Sequence, residues 1–316
     1  MAFKLHGFGL LPLSANQRGA AFMVASQAAF MLNDTLVKIA TGSIGIGQIM
    51  LVRGIFATAL IVVLVWRLGH FQPPRRLASP AIICRVVGEI GGTIFYLIAL
   101  AHLPIANVAA VFQALPLAVT MSAALFFGEK VGPRRWLAIA VGFIGVLIIV
   151  RPGMEGFNAY STYVLACVVF CAIRDLATRR ISAEIPSTFI VLLTAAAVTL
   201  CGGALIPLTG GWEPMTMPLL AVLITAAVLV LAGYQFIIQS MRIGDISFVA
   251  PFRYTALLWA IAAGYIVFLN VPDIPMLIGS FVVVASGLYT LYRERIVGRS
   301  RPVTETTGPS TAVDGL

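Results

Sequence analysis

Ten apolar segments follow one another along this 316-residue chain, separated by short polar stretches. The hydrocarbon core of a bilayer is about 30 Å thick, so about 20 mainly apolar residues cross it as an α-helix. Only 10% of the residues are charged, against roughly 25% in an ordinary soluble domain. The sequence therefore predicts an all-α integral membrane protein with ten transmembrane helices. The predicted spans lie near residues 19–41, 48–66, 82–101, 106–127, 135–150, 159–179, 187–207, 217–240, 246–269 and 274–292.

The first half of the chain reappears loosely in the second half, since residues 17–152 align with residues 157–295 at a nearly constant offset. Each copy holds five predicted spans, and an odd number makes the two copies enter the bilayer from opposite faces. Inverted repeats of this kind are typical of secondary transporters, whose substrate site lies between the halves near the bilayer midplane. The matching positions include Asp34 with Asp175, Lys38 with Arg179, Tyr96 with Tyr234, Pro133 with Pro275 and Arg151 with Arg293.

These features divide the chain into four predicted parts. A cytoplasmic segment at 1–18 precedes a first five-helix repeat at 19–152, and a second five-helix repeat follows at 157–295. Residues 296–316 are polar without apolar periodicity, which predicts a disordered cytoplasmic tail.

The net charge of +9 is explained by membrane topology rather than by nucleic acid. Most basic residues, Arg85 and Arg179 among them, fall on alternate loops or span ends, as cytoplasmic flanks do. The sequence therefore predicts that both termini are cytoplasmic, in a plasma membrane of the bacterial inner-membrane type, and that no nucleic acid is a partner.

Metal and cofactor chemistry find no support in the sequence. The four cysteines, which include Cys167 and Cys171, fall inside predicted helices and are expected to serve packing. The histidines lie on different loops, and no GxxxxGK[ST] segment is present for direct use of ATP. We therefore predict no cofactor and no metal.

Residues 103–152 carry the most recognisable pattern, with the turn LPIA, the mid-helix ALPLAV, the exit FGEKVGPRRW and the closing GFIGVLIIVRPG. This stretch resembles the EamA repeat of the drug/metabolite transporter superfamily, and the second half resembles it more loosely through VAPFRYTALLWAIAAGYIVFLNVPD. The resemblance implies a transporter rather than an enzyme, with spans 1–4 and 6–9 around a central cavity. It also implies that spans 5 and 10 are peripheral and can mediate a homodimer. Asn270 departs from the family pattern, which usually has Glu there.

Four charged residues lie deep in predicted spans: Asp34, Arg53, Glu89 and Arg253. An ionisable group near the bilayer centre costs about 2.5 to 3.5 kcal/mol on insertion scales, so it normally faces a wet cavity or a partner. Glu89 and Arg253 are therefore predicted to line the transport pathway. Arg53 is predicted either to line it or to have a structural role, by snorkelling to the membrane surface or by pairing with Asp34.

The sequence leaves two interpretations of Asp34 open. Asp34 precedes Lys38 by four residues, which suits an intrahelical ion pair, and Asp175 and Arg179 repeat the arrangement. Alternatively, Asp34 acts in the pathway as a coupling or gating acid.

Aromatic and amide side chains complete the candidate site, namely Tyr96, Tyr234, Trp259 and Gln113. Such walls beside Glu89 and Arg253 suit a zwitterionic or polar aromatic metabolite. Prolines at Pro116 and Pro251 are expected to bend their helices because each removes a backbone hydrogen bond.

The preferred function is a secondary transporter that moves a small polar or amphipathic metabolite across the lipid bilayer by alternating access. A membrane enzyme acting on a lipid or polyprenyl substrate is the first alternative, and a pore or a scaffold is the second. The sequence lacks the grouped acids, histidines or metal ligands that a membrane enzyme of this kind needs.

Overall fold

The computed structural model describes residues 14–72, 79–129, 131–154, 157–182 and 184–297. Most of the predicted N-terminal segment and of the predicted tail lies outside these residues. All regular structure within them is helical, and ten helical spans are long and apolar enough to cross a membrane. This confirms the predicted ten-helix, all-α membrane fold. The spans, numbered 1 to 10 in chain order, are Ala15–Thr41, Ile46–Leu68, Pro80–His102, Ile105–Phe127, Pro133–Val150, Ser161–Thr178, Ser187–Leu208, Met217–Ile243, Ala250–Phe268 and Ile274–Arg293.

The span ends follow local sequence signals. Ser14 caps span 1 by accepting a hydrogen bond from the Gln17 amide at 3.2 Å, and the Gln17 side chain accepts one from the Ser14 amide at 2.9 Å. Pro80 and Pro133 open spans 3 and 5 at the first helical turn, where a missing N–H costs nothing. Gly69 caps the end of span 2 with φ +67°, a left-handed conformation that glycine adopts without strain.

Two spans are interrupted beside Pro116 and Pro251, the prolines that were expected to bend their helices. Span 4 consists of helices Ile105–Phe112 and Leu115–Phe127, with the break at Gln113 and Ala114 just before Pro116. A short helix, Ile246–Val249, leads into span 9, which begins as a 3₁₀ segment, Ala250–Tyr254, and continues as helix Thr255–Phe268. Span 7 likewise ends in a 3₁₀ turn, Ile206–Leu208, and the helix of span 10 runs on to Val297.

The spans pack mainly in four pairs: span 1 on span 8, span 3 on span 6, span 2 on span 7 and span 5 on span 10. Exchanging the two halves of the chain turns the pair of spans 1 and 8 into the pair of spans 6 and 3. The same exchange leaves the other two pairs as they are. This pairing is the one expected for two repeats related by a twofold axis, and the inverted orientation of the repeats itself stays a prediction.

Glycines allow the closest approaches between paired spans. A Cβ added to Gly88 on span 3 would lie 2.8 Å from the Phe170 carbonyl oxygen on span 6. A Cβ on Gly279 would lie 2.6 Å from the Gly145 carbonyl oxygen, so spans 5 and 10 meet at these two glycines. Helices in lipid associate through such van der Waals contact, because lipid gives them no hydrophobic drive to associate.

Candidate substrate-binding cavity

A cavity of about 270 Å³ lies between the two halves of the chain, and we call it the main chamber. Spans 1 to 4 of the first half and spans 6, 8 and 9 of the second half line it. Its polar and aromatic lining residues are Gln27, Phe30, Asn33, Asp34, Arg53, Glu89, Thr93, Tyr96, Phe112, Gln113, Arg174, Tyr234 and Arg253.

A second cavity of about 120 Å³, the side chamber, shares part of this wall. Arg53, Glu89, Thr93, Arg174 and Tyr234 line both chambers. The side chamber adds span 7, through residues that include Val191, Thr194 and Val198. Together the chambers are lined by spans 1 to 4 and 6 to 9, as the family resemblance implies.

Asp34 lies in the last third of span 1, within a chain of hydrogen bonds that links three spans. The Tyr96 hydroxyl on span 3 donates to Asp34 Oδ2 at 2.6 Å, and the Asn33 amide donates to Asp34 Oδ1 at 2.9 Å. Arg53 on span 2 donates from Nη1 to Asn33 Oδ1 at 3.0 Å. The Asn33 side chain thus relays the contact between Arg53 and Asp34, and the described hydrogen bonds of the carboxylate come from neutral groups.

Lys38 does not pair with Asp34, so the first of the two interpretations of Asp34, an intrahelical ion pair, is wrong. The Lys38 ammonium instead donates to the carbonyl oxygens of Leu100 and Leu103, at 2.6 Å and 2.8 Å, at the end of span 3. Carbonyls at the end of a helix lack intrahelical partners and carry partial negative charge, so a cation is stabilised there.

A second polar cluster lies between spans 3 and 6, around Glu89. Its carboxylate stands 3.5 Å from Arg174 Nη1 and 4.0 Å from Arg85 Nη2. Arg174 Nε also donates to Asp175 Oδ1 at 2.8 Å, and Asp175 is fully buried. Because spans 3 and 6 are packing partners, this cluster of four charges joins the two halves of the chain.

The same cluster revises the interpretation of two further residues. Arg85, assigned to a basic flank from the sequence, is only 2% exposed and contacts Thr178 and Glu89, so its side chain is buried between spans 3 and 6. Asp175 pairs with its neighbour Arg174 instead of Arg179, whose Nη1 lies 2.9 Å from Glu129 Oε1. Spacing alone thus suggested Arg179 for Asp175, whereas the side chain pairs with the adjacent Arg174.

The interrupted regions of spans 4 and 9 also reach the cavity. Gln113 stands at the break in span 4, and its Nε2 is buried without a hydrogen-bond partner among the described residues. Arg253 lies in the 3₁₀ segment of span 9, and both residues line the main chamber. The breaks beside Pro116 and Pro251 therefore bring polar side chains to the cavity wall.

Aromatic rings form paired walls in the main chamber. Phe30 and Tyr234 meet edge to face with ring centroids 5.3 Å apart, and Tyr96 and Phe112 do so at 5.7 Å. Trp259, a predicted site residue, instead lies on the outward face of span 9 and is 41% exposed. It does not line either chamber.

Seven of the eight candidate site residues thus come together in the main chamber: Asp34, Arg53, Glu89, Tyr96, Gln113, Tyr234 and Arg253. The sequence did not single out Asn33, Arg85 or Arg174. Arg174 could have been found from the sequence, because it lies within a predicted span and is adjacent to Asp175, the residue that aligns with Asp34. Asn33 could not, since its role depends on the approach of span 2.

Comparison with known proteins agrees with this architecture. The sequence profile of the EamA-like transporter family matches residues 17–151, which are the first predicted repeat. The first half of the chain thus matches the EamA-like transporter family. This confirms the resemblance seen in the sequence, and the second repeat rests on that resemblance and on helix pairing.

Proteins named for three different solutes resemble this chain over most of its length. A riboflavin transporter of Vibrio cholerae is 29% identical over 273 residues, which cover 85% of this chain and 91% of that protein. A pseudopaline exporter of Pseudomonas aeruginosa is 28% identical over 275 residues, 85% of this chain and 94% of that protein. An S-adenosylmethionine uptake transporter of Rickettsia felis is 24% identical over 282 residues, with coverage of 88% and 93%.

These proteins are named as transporters of small metabolites and not as enzymes, in agreement with the predicted class. A solved crystal structure matches 87% of this chain and 98% of its own chain with a TM-score of 0.58. Its sequence is 19% identical, so the match concerns the fold alone. The profile match, the relatives and the fold together indicate a multi-pass membrane protein of the transporter class.

Proposed function

We propose that this protein is a secondary transporter that moves a small polar or amphipathic metabolite by alternating access, with its solute site in the main chamber. The observation that carries the proposal is the chamber itself, which both halves of the chain line with charged, amide and aromatic side chains. In inverted-repeat transporters such a position lies near the bilayer midplane, where the two halves can rearrange around a bound solute.

The charges in the chamber support a role beyond packing. Asp34, Arg53, Glu89, Arg174 and Arg253 line one cavity inside membrane spans. Burying charges in a membrane is costly, and such residues normally mark solute or ion pathways. Replacing buried charges by well-packed apolar residues is often neutral or stabilising, so packing alone does not require them.

The setting of the transporter is part of the proposal. The relatives named above come from bacteria, and the basic loops alternate along the chain. We place the protein in the bacterial inner membrane with both termini in the cytoplasm.

The names of the relatives suggest the first solutes to examine. Riboflavin and S-adenosylmethionine each combine a ring system with polar groups, and the chamber offers both aromatic and charged walls. A thermal-shift screen of the purified protein with these two compounds and a metabolite library will identify binders, because a ligand of the folded state raises apparent stability.

The decisive experiment is solute counterflow in proteoliposomes that contain the purified full-length chain. Vesicles are loaded with unlabelled binder and diluted into labelled binder, and a carrier then accumulates label transiently. We expect a saturable uptake with such an overshoot. Flux that rises linearly with concentration and shows no overshoot would indicate a pore and contradict the proposal.

Two matched tyrosine variants connect the flux to the chamber. Tyr234 lines both chambers, whereas Tyr265 on span 9 is 59% exposed on the outer surface. We expect Tyr234→Ala to weaken apparent solute affinity about tenfold, which corresponds to about 1.4 kcal/mol of lost contact. Tyr265→Ala should leave counterflow unchanged, and equal effects of the two variants would contradict the assigned site.

A further inference from the structure

We propose that the cavity selects aromatic carboxylates, and that Arg53 binds the carboxylate of the solute. This inference rests on the proposed transport function and narrows its substrate class.

Arg53 is placed to meet a ligand from both sides. It lines the main chamber and the side chamber. Its one hydrogen bond in the described part of the chain goes from Nη1 to Asn33 Oδ1. A guanidinium has five N–H donors in a planar fork that fits a carboxylate, so most of its donors remain for a ligand.

The two acids of the main chamber are less suited to bind a cationic solute. Asp34 already accepts hydrogen bonds from Tyr96 and Asn33, and Glu89 already faces Arg174 and Arg85. A cationic solute would have to compete with these contacts, whereas an anionic one would meet Arg53 directly.

The charge around the chambers favours a monoanion. Among the described residues, three arginines line the side chamber, Arg53, Arg85 and Arg174, against one acid, Glu89. With Arg253, Asp34 and the buried Asp175 included, four arginines stand against three acids, an excess of one positive charge. Charge pairs away from bulk water are stronger than pairs within it. A solute with one carboxylate would balance the excess.

The rest of the chamber fits an aromatic group on the same solute. Phe30, Tyr96, Phe112 and Tyr234 line the main chamber and already meet each other edge to face. Aromatic rings prefer offset or edge-to-face contacts with one another, so a planar ring is stabilised between such walls. The Gln113 amide nitrogen is a further donor for a polar substituent.

Three probes that share one ring system and differ in charge test the selectivity. Indole-3-acetate is an anion, indole-3-acetamide is neutral and tryptamine is a cation at neutral pH. We expect the full-length protein in detergent to bind indole-3-acetate at least about tenfold more tightly than the other two, measured by thermal shift at equal millimolar concentrations. Equal or tighter binding of the amide or the amine, or binding of none of them, overturns the proposal.

Substitutions of Arg53 test the assigned residue. Arg53→Gln should abolish the preference for indole-3-acetate while indole-3-acetamide binds as before, which shows that the cavity is intact. Arg53→Lys keeps the positive charge but lacks the planar guanidinium, so it should retain part of the preference for indole-3-acetate. Arg67→Gln is the matched control, because Arg67 is exposed at the end of the same span. A preference that survives Arg53→Gln, or loss of amide binding as well, overturns the role of Arg53.

Transport is measured separately, so that the two proposals fail in different ways. Counterflow of a neutral or cationic solute in preference to carboxylates would contradict the anion selectivity and leave the carrier function standing. Preferential binding of indole-3-acetate without counterflow of any solute would support the selectivity and contradict the carrier function.

Discussion

At the scale of single residues, the two acids that line the main chamber differ in what surrounds them. Asp34 accepts hydrogen bonds from the neutral groups of Tyr96 and Asn33, whereas Glu89 faces the guanidinium groups of Arg174 and Arg85. Protonating Glu89 would remove the negative charge that faces both Arg174 and the buried Arg85, which is unfavourable. Protonating Asp34 breaks no described direct ion pair, so Asp34 is the better candidate to carry a proton.

This difference predicts the outcome of a coupling experiment. We expect Asp34→Asn to abolish the stimulation of flux by a pH gradient in proteoliposomes, while counterflow at equal pH persists because the amide keeps the shape of the side chain. Flux is followed with and without an imposed gradient. Unchanged stimulation in Asp34→Asn would refute the role of Asp34 in coupling.

A charged residue inside an apolar run is a local signal, and this is why the sequence found Asp34, Arg53, Glu89 and Arg253. The partners of those residues depend on which spans pack together and at what rotation. The bond from Tyr96 to Asp34 and the contact between Arg174 and Glu89 could therefore not be predicted. Trp259 shows the same limit, because span 9 is apolar on nearly all sides and its pattern does not indicate which face points inward.

At the scale of helices, spans 5 and 10 stand apart from the chambers and pack on each other. Their contact runs through Gly145 and Gly279, each close to the carbonyl oxygen of the other. This contact already uses part of the surface of each span within the chain. A homodimer through spans 5 and 10 stays a prediction.

The glycine contact gives a stability prediction with a built-in control. A Cβ in Gly279→Ala would lie 2.6 Å from the Gly145 carbonyl oxygen, so the spans must separate, and we expect a loss of about 1 to 3 kcal/mol. In Gly264→Ala the nearest neighbouring atom would be 3.4 Å away, and no loss is expected. Thermal unfolding of both variants in detergent checks this, and equal stability of the two would contradict the close contact.

A second contact between these helices predicts a pH dependence. Arg151 at the end of span 5 pairs with Asp273 in the loop before span 10. Partial burial alone would raise the pKa of Asp273, but hydrogen bonds from Arg151 and from the Met276 amide outweigh it and lower the pKa. A carboxyl with a lowered pKa stabilises the fold above its unfolded-state value, about 3.9, and this contribution is lost as the pH falls through the folded-state value.

We therefore expect Asp273→Asn to lower the unfolding temperature slightly at neutral pH and to match the parent chain in strong acid. The effect should stay below about 1 kcal/mol, because half of the Asp273 side chain is exposed and the pair is screened by solvent. Glu213→Gln, at an exposed position in another loop, serves as the control. A difference that persists unchanged into strong acid would contradict the ion pair as its cause.

At the scale of the whole molecule, hydrogen bonds tie spans of opposite halves into units. Ser26 donates to the Gly233 carbonyl at 2.7 Å and Ser240 donates to the Gly19 carbonyl at 2.6 Å, so span 1 is held to span 8 at two levels. Span 3 is held to span 6 by the charges around Glu89. We expect these pairs to move as units during alternating access, with the chambers between them.

The ten-span architecture was the feature best predicted from the sequence, because the length and apolarity of a span are local properties. The repeat in the sequence also indicated that the two halves are related. The shape of the cavity was not predictable. It depends on helix breaks at Gln113 and at Ala250 to Tyr254, and on a packing order that no single segment encodes.

The most direct measurement of the central claim is the accessibility of Thr93, which lies on span 3 where the two chambers meet. A Thr93→Cys reporter, in a chain whose own four cysteines are replaced, is exposed to a membrane-impermeant methanethiosulfonate from one face at a time. A carrier with its site between the halves predicts modification from either face, slowed by the solute that shows counterflow. Modification from one face alone under every solute gradient, at a rate the solute does not change, would contradict it.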